Sequence, residues 1–154
     1  MPWDLSKRLP FTGLGAWWVV VQIILLLAIA FAPGSTFQWR SPASLELLAA
    51  AVIFFSAVLA MGNSLSPFPA PATRGTLITA GIFRFVRHPI YTAVMIGALA
   101  FAQGTHSPAR FVLTLVLIAF FTAKAGHEER LLKTRYPAYE HYAVATKRFI
   151  PWVY

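Results

Sequence analysis

"AWWVVVQIILLLAIAFA", residues 16–32, sets the class of this protein: an apolar run with no charged side chain. At a rise of about 1.5 Å per residue, such a run makes a slightly short membrane-spanning helix. Trp17 and Trp18 at its start suit the aromatic belt at a membrane interface.

The rest of the 154-residue chain agrees with that beginning. Hydrophobic residues make up 58% and charged residues 12%, whereas a soluble domain carries about 25% charged residues. This length is at most one modest domain, with no room for a separate soluble catalytic unit beside the helices. Cysteine is absent, which excludes disulfides, thiolate metal sites, thiol nucleophiles and S-acylation. The formal net charge of +8 raises nucleic acid as a partner. The basic residues, however, sit at the ends of apolar runs rather than on an aromatic-interleaved polar face, so they are read as topology and lipid-headgroup contact.

Three further apolar stretches follow. Residues 45–61, "LELLAAAVIFFSAVLAM", come after the turn-forming "RSPAS" and hold Glu46 near the start, where a helix N-terminus tolerates an acid. Residues 90–103 are apolar but too few to cross a hydrocarbon core of roughly 30 Å. They predict a short, bilayer-thinning third helix or part of a re-entrant hairpin. Residues 111–126 make the fourth span, its helix continuing toward Glu128. Between the second and third spans, Pro67, Pro69 and Pro71 interrupt any helix, placing residues 62–88 at the membrane surface.

The expected fold is therefore all-α. It is one domain over residues 1–154, an integral membrane helical bundle of about four membrane helices (16–32, 45–61, 90–103 and 111–126) with a cytoplasmic C-terminal helical segment. Segments 62–88 and 127–154 should meet on one side. Of the 13 lysines and arginines, all but Arg40 and Arg110 fall on that side, which the positive-inside rule makes the cytoplasm, both termini included. The expected location is the cell inner membrane. Lys7, Arg8, the apolar run and "AIA" at 28–30 also resemble a cleavable signal peptide. Cleavage there would leave the remaining helices oriented as before.

Two charged junctions then lie on the same surface. In "FRFVRHPIYTAVM" (83–95), Pro89 fits a first helical turn and His88 the N-cap region. The amides of that turn would face an anion. If the helical register ran back through the basic stretch, Arg84, His88 and Tyr91 would share a face. Singly, each is ordinary: arginines as topological flanks, Tyr91 as an interfacial aromatic, His88 as a cap. Glu128 and Glu129 are two of only five acids. If the helix ended near them, they would oppose its dipole. If it continued, Lys124 and Glu128 would pair at i, i+4, with Arg135 one heptad on. Acids beside basic groups also suit a zwitterionic ligand, the acids taking its ammonium and arginines or a helix N-terminus its carboxylate.

"TAGIFRFVRHPIY", then "AGHEE", then "RYPAYEHYAVATKRFIP" together resemble the isoprenylcysteine carboxyl methyltransferase and phospholipid methyltransferase superfamily. Its signature pairs an Arg-His-Pro-x-Tyr element, here Arg87 to Tyr91, with a hydrophobic-x-x-Glu-Glu element, here Ala125 to Glu129. The resemblance spans about residues 65–151. "GIF" departs from the proline and tyrosine that often follow the glycine, and "RYP" from the usual Phe-Gly.

The resemblance implies an enzyme that uses S-adenosylmethionine to methylate a membrane-associated acceptor: an isoprenylcysteine carboxylate, a phospholipid amine or a small thiol. It implies Arg87, His88, Pro89, Tyr91, Glu128 and Glu129 as the cofactor-binding set, Glu129 and Arg135 as the catalytic pair, and no metal. One glutamate would hold the cofactor's ammonium, amides near His88 its carboxylate, and Tyr91 would pack on it. A carboxylate acceptor would be oriented by Arg135, whereas an amine or thiol would need a glutamate or His127 as base. The competing expectations are a nicotinamide-dependent enzyme like the sterol reductases, and a non-enzymatic lipid-binding or assembly protein of the membrane. Oligomeric state is not readable.

Overall fold

The structure is a computed structural model describing residues 15–62 and 76–153; the prolines at 67, 69 and 71 lie outside the described residues. Five α-helices carry the fold: α1 (Ala16–Phe31), α2 (Ala43–Met61), α3 (Pro89–Gly104), α4 (Pro108–Arg135) and the short α5 (Tyr139–Ala145). A 3₁₀ turn over Gly81–Arg84 precedes α3. Gly81 opens that turn at φ 61°, a left-handed conformation that costs glycine no steric penalty.

α2 packs along α3, α3 against α4, and α4 against α1, so the helices follow one another across the molecule in the order α2, α3, α4, α1. The α2–α3 seam is made by small side chains. α2 buries Ala43, Ala50 and Ala57, each two helical turns from the next, and a Cβ added at Gly97 of α3 would stand 3.7 Å from that of Ala50. Small residues let two backbones approach closely where apolar surroundings supply no hydrophobic drive. The larger core lies between α1, α3 and α4, where Ile29, Ala98, Leu117 and Phe121 are buried with Tyr91 and Leu25 against them.

Away from these seams the helices turn large apolar side chains outward, including Ile24, Phe31, Leu48, Phe55 and Leu59. That distribution suits hydrocarbon surroundings rather than water. α2 and α4 are long and apolar enough to cross a membrane, while α1 and α3 are shorter apolar helices.

The sequence-based boundaries need two corrections. α3 and α1 both have 16 residues, about 24 Å at helical rise, so the third helix is no shorter than the first. α4 runs 28 residues to Arg135, past the expected end at 126, and the non-helical segment begins only at Tyr136. Glu128 and Glu129 consequently lie in the body of a helix, where the dipole penalty does not arise. The last turn instead holds Lys133 and Arg135, cations that suit a C-terminus.

Candidate functional site

The site forms where the start of α3 meets the second half of α4. His88 is the α3 N-cap with non-helical backbone (φ −125°, ψ 59°) and Pro89 the first helical residue, whose ring fixes φ and whose missing N–H leaves no donor unpaired. The break after the 3₁₀ turn stops helical register before His88, so Arg84 does not continue the His88–Tyr91 face. His88 and Tyr91 still meet, their rings parallel within 5° at 5.4 Å, and Tyr91 in turn stacks on Phe121 of α4 at 4.5 Å.

The two glutamates are neighbours in sequence and differ in surroundings, because successive helical residues point about 100° apart. Glu129 is buried. It accepts from Arg87 Nε at 3.0 Å, Arg148 Nε at 3.1 Å and Arg148 Nη2 at 2.6 Å, and His88 Nε2 lies 3.2 Å away. Oε1 takes three of these contacts and Oε2 the fourth, so the protein engages both oxygens of this carboxylate. Glu128 accepts from the Tyr91 hydroxyl through Oε1, while Oε2 stands 3.6 Å from His88 Nδ1, beyond a good hydrogen bond.

The C-terminal segment closes one side. Arg87 Nη1 donates to the carbonyls of Ala143, at 2.8 Å, and Thr146. The backbone from Val86 runs parallel to that at Lys147, the amides of Arg87 and His88 donating to the carbonyls of Lys147 (2.8 Å) and Arg148 (3.1 Å). The amides of Arg87 and His88 are thus engaged, which leaves the expected anion to the first turn of α3 alone. The first-turn amides of Ile90 and Tyr91 have no acceptor within their own helix. Thr92 Oγ1 donates to the Phe149 carbonyl at 2.9 Å, and the Tyr142 hydroxyl to the Phe83 carbonyl at 2.6 Å.

Burial, opposed in part by nearby Arg87, pushes the Tyr142 phenol up to about 12. Burial also raises that of Tyr139, with the Glu129 charge adding to it. The Tyr139 hydroxyl is buried and makes no hydrogen bond among the described residues.

The expected residues thus separate. Arg87, His88, Pro89, Tyr91, Glu128 and Glu129 come together. Arg135 stands outside the cluster, donating from Nε to the Tyr136 hydroxyl at 3.2 Å with its guanidinium over that ring. It lies seven residues beyond Glu128 on the same face of α4, about 10.5 Å along the axis. His127 turns to α1, its ring stacked on Trp18 at 5.6 Å.

Two participants were not expected at the site. Arg148 supplies half of the clamp on Glu129. Lys124, assigned to topology, is buried, donates to Gln22 Oε1 of α1 at 2.7 Å and holds its ammonium 5.2 Å from the Tyr91 ring. The expected Lys124–Glu128 pair does not form, since Glu128 is held from α3. A lysine and a glutamine in otherwise apolar helices were the available signal, because polar side chains at that depth mark sites.

Cofactor chemistry can be judged against this donor set. A carboxylate with one oxygen short of a partner, beside a ladder of aromatic rings and the first turn of α3, matches an ammonium, a flat apolar group and a carboxylate on one ligand. The residues present fit S-adenosylmethionine.

The profile of the phospholipid methyltransferase family matches residues 43–139, which hold both α3 and the acid pair. The cobalt-zinc-cadmium resistance protein CzcN of Cupriavidus metallidurans is 28% identical over 145 residues, covering 90% of this chain and 63% of that protein. The nickel-cobalt-cadmium resistance protein NccN of Alcaligenes xylosoxydans xylosoxydans is 26% identical over 152 residues, covering 97% of this chain and 70% of that protein. The chain therefore spans a little under two thirds of the first relative's length.

Proposed function

The chain belongs to the phospholipid methyltransferase family, and from that premise we propose that it is a membrane enzyme moving a methyl group from S-adenosylmethionine to a membrane-associated acceptor at the end of the bundle where α3 meets α4. Members of the family generally use that cofactor. The observation that carries the proposal is the convergence of His88 and Tyr91 with Glu128 and Glu129 across 37 to 41 residues of sequence. Structural support alone needs only Glu129.

Bound there, S-adenosylmethionine supplies a methyl group on a positively charged sulfur, to be displaced in line. What the protein must add is alignment and exclusion of water rather than an acid or a metal. Glu128 is assigned to the ammonium, because its Oε2 faces only a distant His88 nitrogen. Tyr91, fixed between His88 and Phe121, packs on the ligand, and the first-turn amides of α3 receive its carboxylate. Glu129 instead holds Arg87 and Arg148 in place, so the C-terminal segment covers the site. Where the acceptor is a carboxylate, Arg135, further along the Glu128 face, orients it; an amine or thiol would also have to release a proton to a base.

All four long helices then cross the membrane, with this face and both termini in the cytoplasm, as the bias of basic residues suggests. The relatives' names attach to metal resistance.

The test is calorimetric titration of the purified protein with S-adenosylmethionine, followed by incubation with the methyl-labelled donor and a lipid extract. Saturable binding and label in an extractable product are expected. Absence of donor binding, with binding of reduced nicotinamide instead, would overturn the proposal.

A further inference from the structure

Against the Arg87–Arg148 pair, a cavity of about 390 Å³ opens to the surface, lined by Arg87, Lys147, Arg148, Val144, Thr146 and Val153 among others. Its charge is one-sided. Among the described residues three cations line it and no acid does; the carboxylate that engages two of them, Glu129, stands behind the wall, and Glu128 is turned to Tyr91. The surplus at the mouth is positive, which suits an anionic oxygen group that accepts several hydrogen bonds at once.

The rim is apolar. Val144 is 87% exposed and Val153 71% exposed, which no core requirement explains. Beside them Trp152, 85% exposed, meets Phe85 edge-on at 6.5 Å, and Arg84 lies 4.8 Å over the Phe85 ring. Exposed tryptophan, valines and arginine around a cationic hollow form a surface for a ligand that is anionic at one end and apolar at the other. In a membrane protein the neighbour with that chemistry is an anionic phospholipid, whose phosphate would enter the cavity while its chains lie against the valines and Trp152.

We infer that this cavity is a binding site for the phosphate headgroup of an anionic membrane lipid, separate from the site of methyl transfer. The inference goes beyond the methyltransferase reading and does not require it, since it uses neither glutamate as a ligand contact. It gives the C-terminal segment a second anchor: the segment is tied to α3 from within by Arg87 and Thr92, and to the bilayer from without by lipid.

The full chain in phosphatidylcholine nanodiscs, offered tail-matched phosphatidylglycerol and phosphatidylcholine and read by native mass spectrometry, tests this. The wild type should retain phosphatidylglycerol at least tenfold over phosphatidylcholine. Lys147→Glu should abolish that preference and Lys147→Arg preserve it. Lys147 is tied into the fold through its backbone carbonyl, so charge reversal leaves the tie in place, and thermal unfolding in neutral lipid checks this. Val144→Asp, at the exposed rim, should lose the preference as well if Lys147→Glu fails to fold. Equal retention of both lipids by the wild type, or an unchanged preference in a folded Lys147→Glu or Val144→Asp protein, would overturn the inference. Millimolar inorganic phosphate should leave the lipid bound; its displacement would overturn the lipid assignment in favour of a soluble phosphate.

Discussion

Arg87 and Arg110 are sunk into opposite ends of the same helix pair and find their partners in different ways, Arg110 keeping a buried Nη1 with no hydrogen bond among the described residues. Arg110, in the first turn of α4, donates from Nε to the Ile29 carbonyl at 3.1 Å and from Nη2 to the Ala30 carbonyl at 3.3 Å, with its guanidinium 4.3 Å over the Phe101 ring. It closes the C-terminus of α1, where carbonyls lack intrahelical partners and a cation is favoured by the dipole. Arg87 closes carbonyls too, those of Ala143 and Thr146, but also pairs with Glu129 and lies in a cluster with Glu128, His88 and Arg148. The Arg110 end shows what holding this bundle together requires: one cation and neutral oxygens. The other end carries acids beyond that need, and the excess is the mark of a site.

Glu129→Gln should bring the largest change. It leaves Arg87 and Arg148 without a counter-charge in a largely buried setting, and breaking such a pair costs about 3 kcal/mol. Reversible unfolding in detergent should show that loss, and donor binding should fail with it as the C-terminal segment comes away. A loss below about 1 kcal/mol would show the clamp to be no stronger than a surface ion pair. Arg110→Met should cost less, about 2 kcal/mol from two hydrogen bonds to carbonyls, with donor affinity unchanged in calorimetry. Weakened donor binding in that variant would break the division between a structural and a functional end.

Glu128→Gln sharpens the comparison within the site. The amide keeps an acceptor for the Tyr91 hydroxyl, so unfolding should shift by less than about 1 kcal/mol. The ammonium contact is lost, and affinity for S-adenosylmethionine should fall at least about tenfold, near 1.4 kcal/mol. If Glu128→Gln binds the donor normally while a folded Glu129→Gln does not, the roles given to the two acids are reversed.

Much of this was readable from the residues. The apolar runs located four helices, and Pro89 after His88 marked the start of α3 because proline is favoured where an amide is not needed. The end of α4 was also written in the sequence, by Lys133 and Arg135 followed by Pro137. Charge at Lys124 to Glu129 masks it, because charged side chains there resemble a membrane boundary. Two features had no local signal. The parallel bridge between Val86 and Lys147 joins chain segments 61 residues apart, and neither segment has the alternating pattern of a strand. The separate surroundings of Glu128 and Glu129 follow from which neighbour each faces, Tyr91 or the tail. A motif of two adjacent letters carries no such direction. The family resemblance located the pair, and only packing divided it.

The smallest expected effect tests how firmly the tail is held. Tyr142→Phe deletes the hydroxyl that donates to the Phe83 carbonyl at 2.6 Å, a loss of about 1 kcal/mol for one neutral hydrogen bond. Alkaline titration gives it a second signature. Burial raises this phenol in the folded protein to about 12, against about 10 for an unfolded tyrosine. A group whose folded value is raised contributes stability that is whole below the unfolded value and lost as pH climbs through the folded one, because the unfolded chain releases its proton first. Between pH 10 and 12 the wild type should therefore lose stability more steeply than Tyr142→Phe, by up to about one proton per molecule, while Tyr139, also raised by burial, contributes equally to both. Below pH 9 the order is reversed and the wild type is the more stable. Parallel slopes for the two proteins would mean that Tyr142 is solvated and that the tail is held by the Glu129 clamp, the Thr92 hydroxyl and the bridge at Val86 without it.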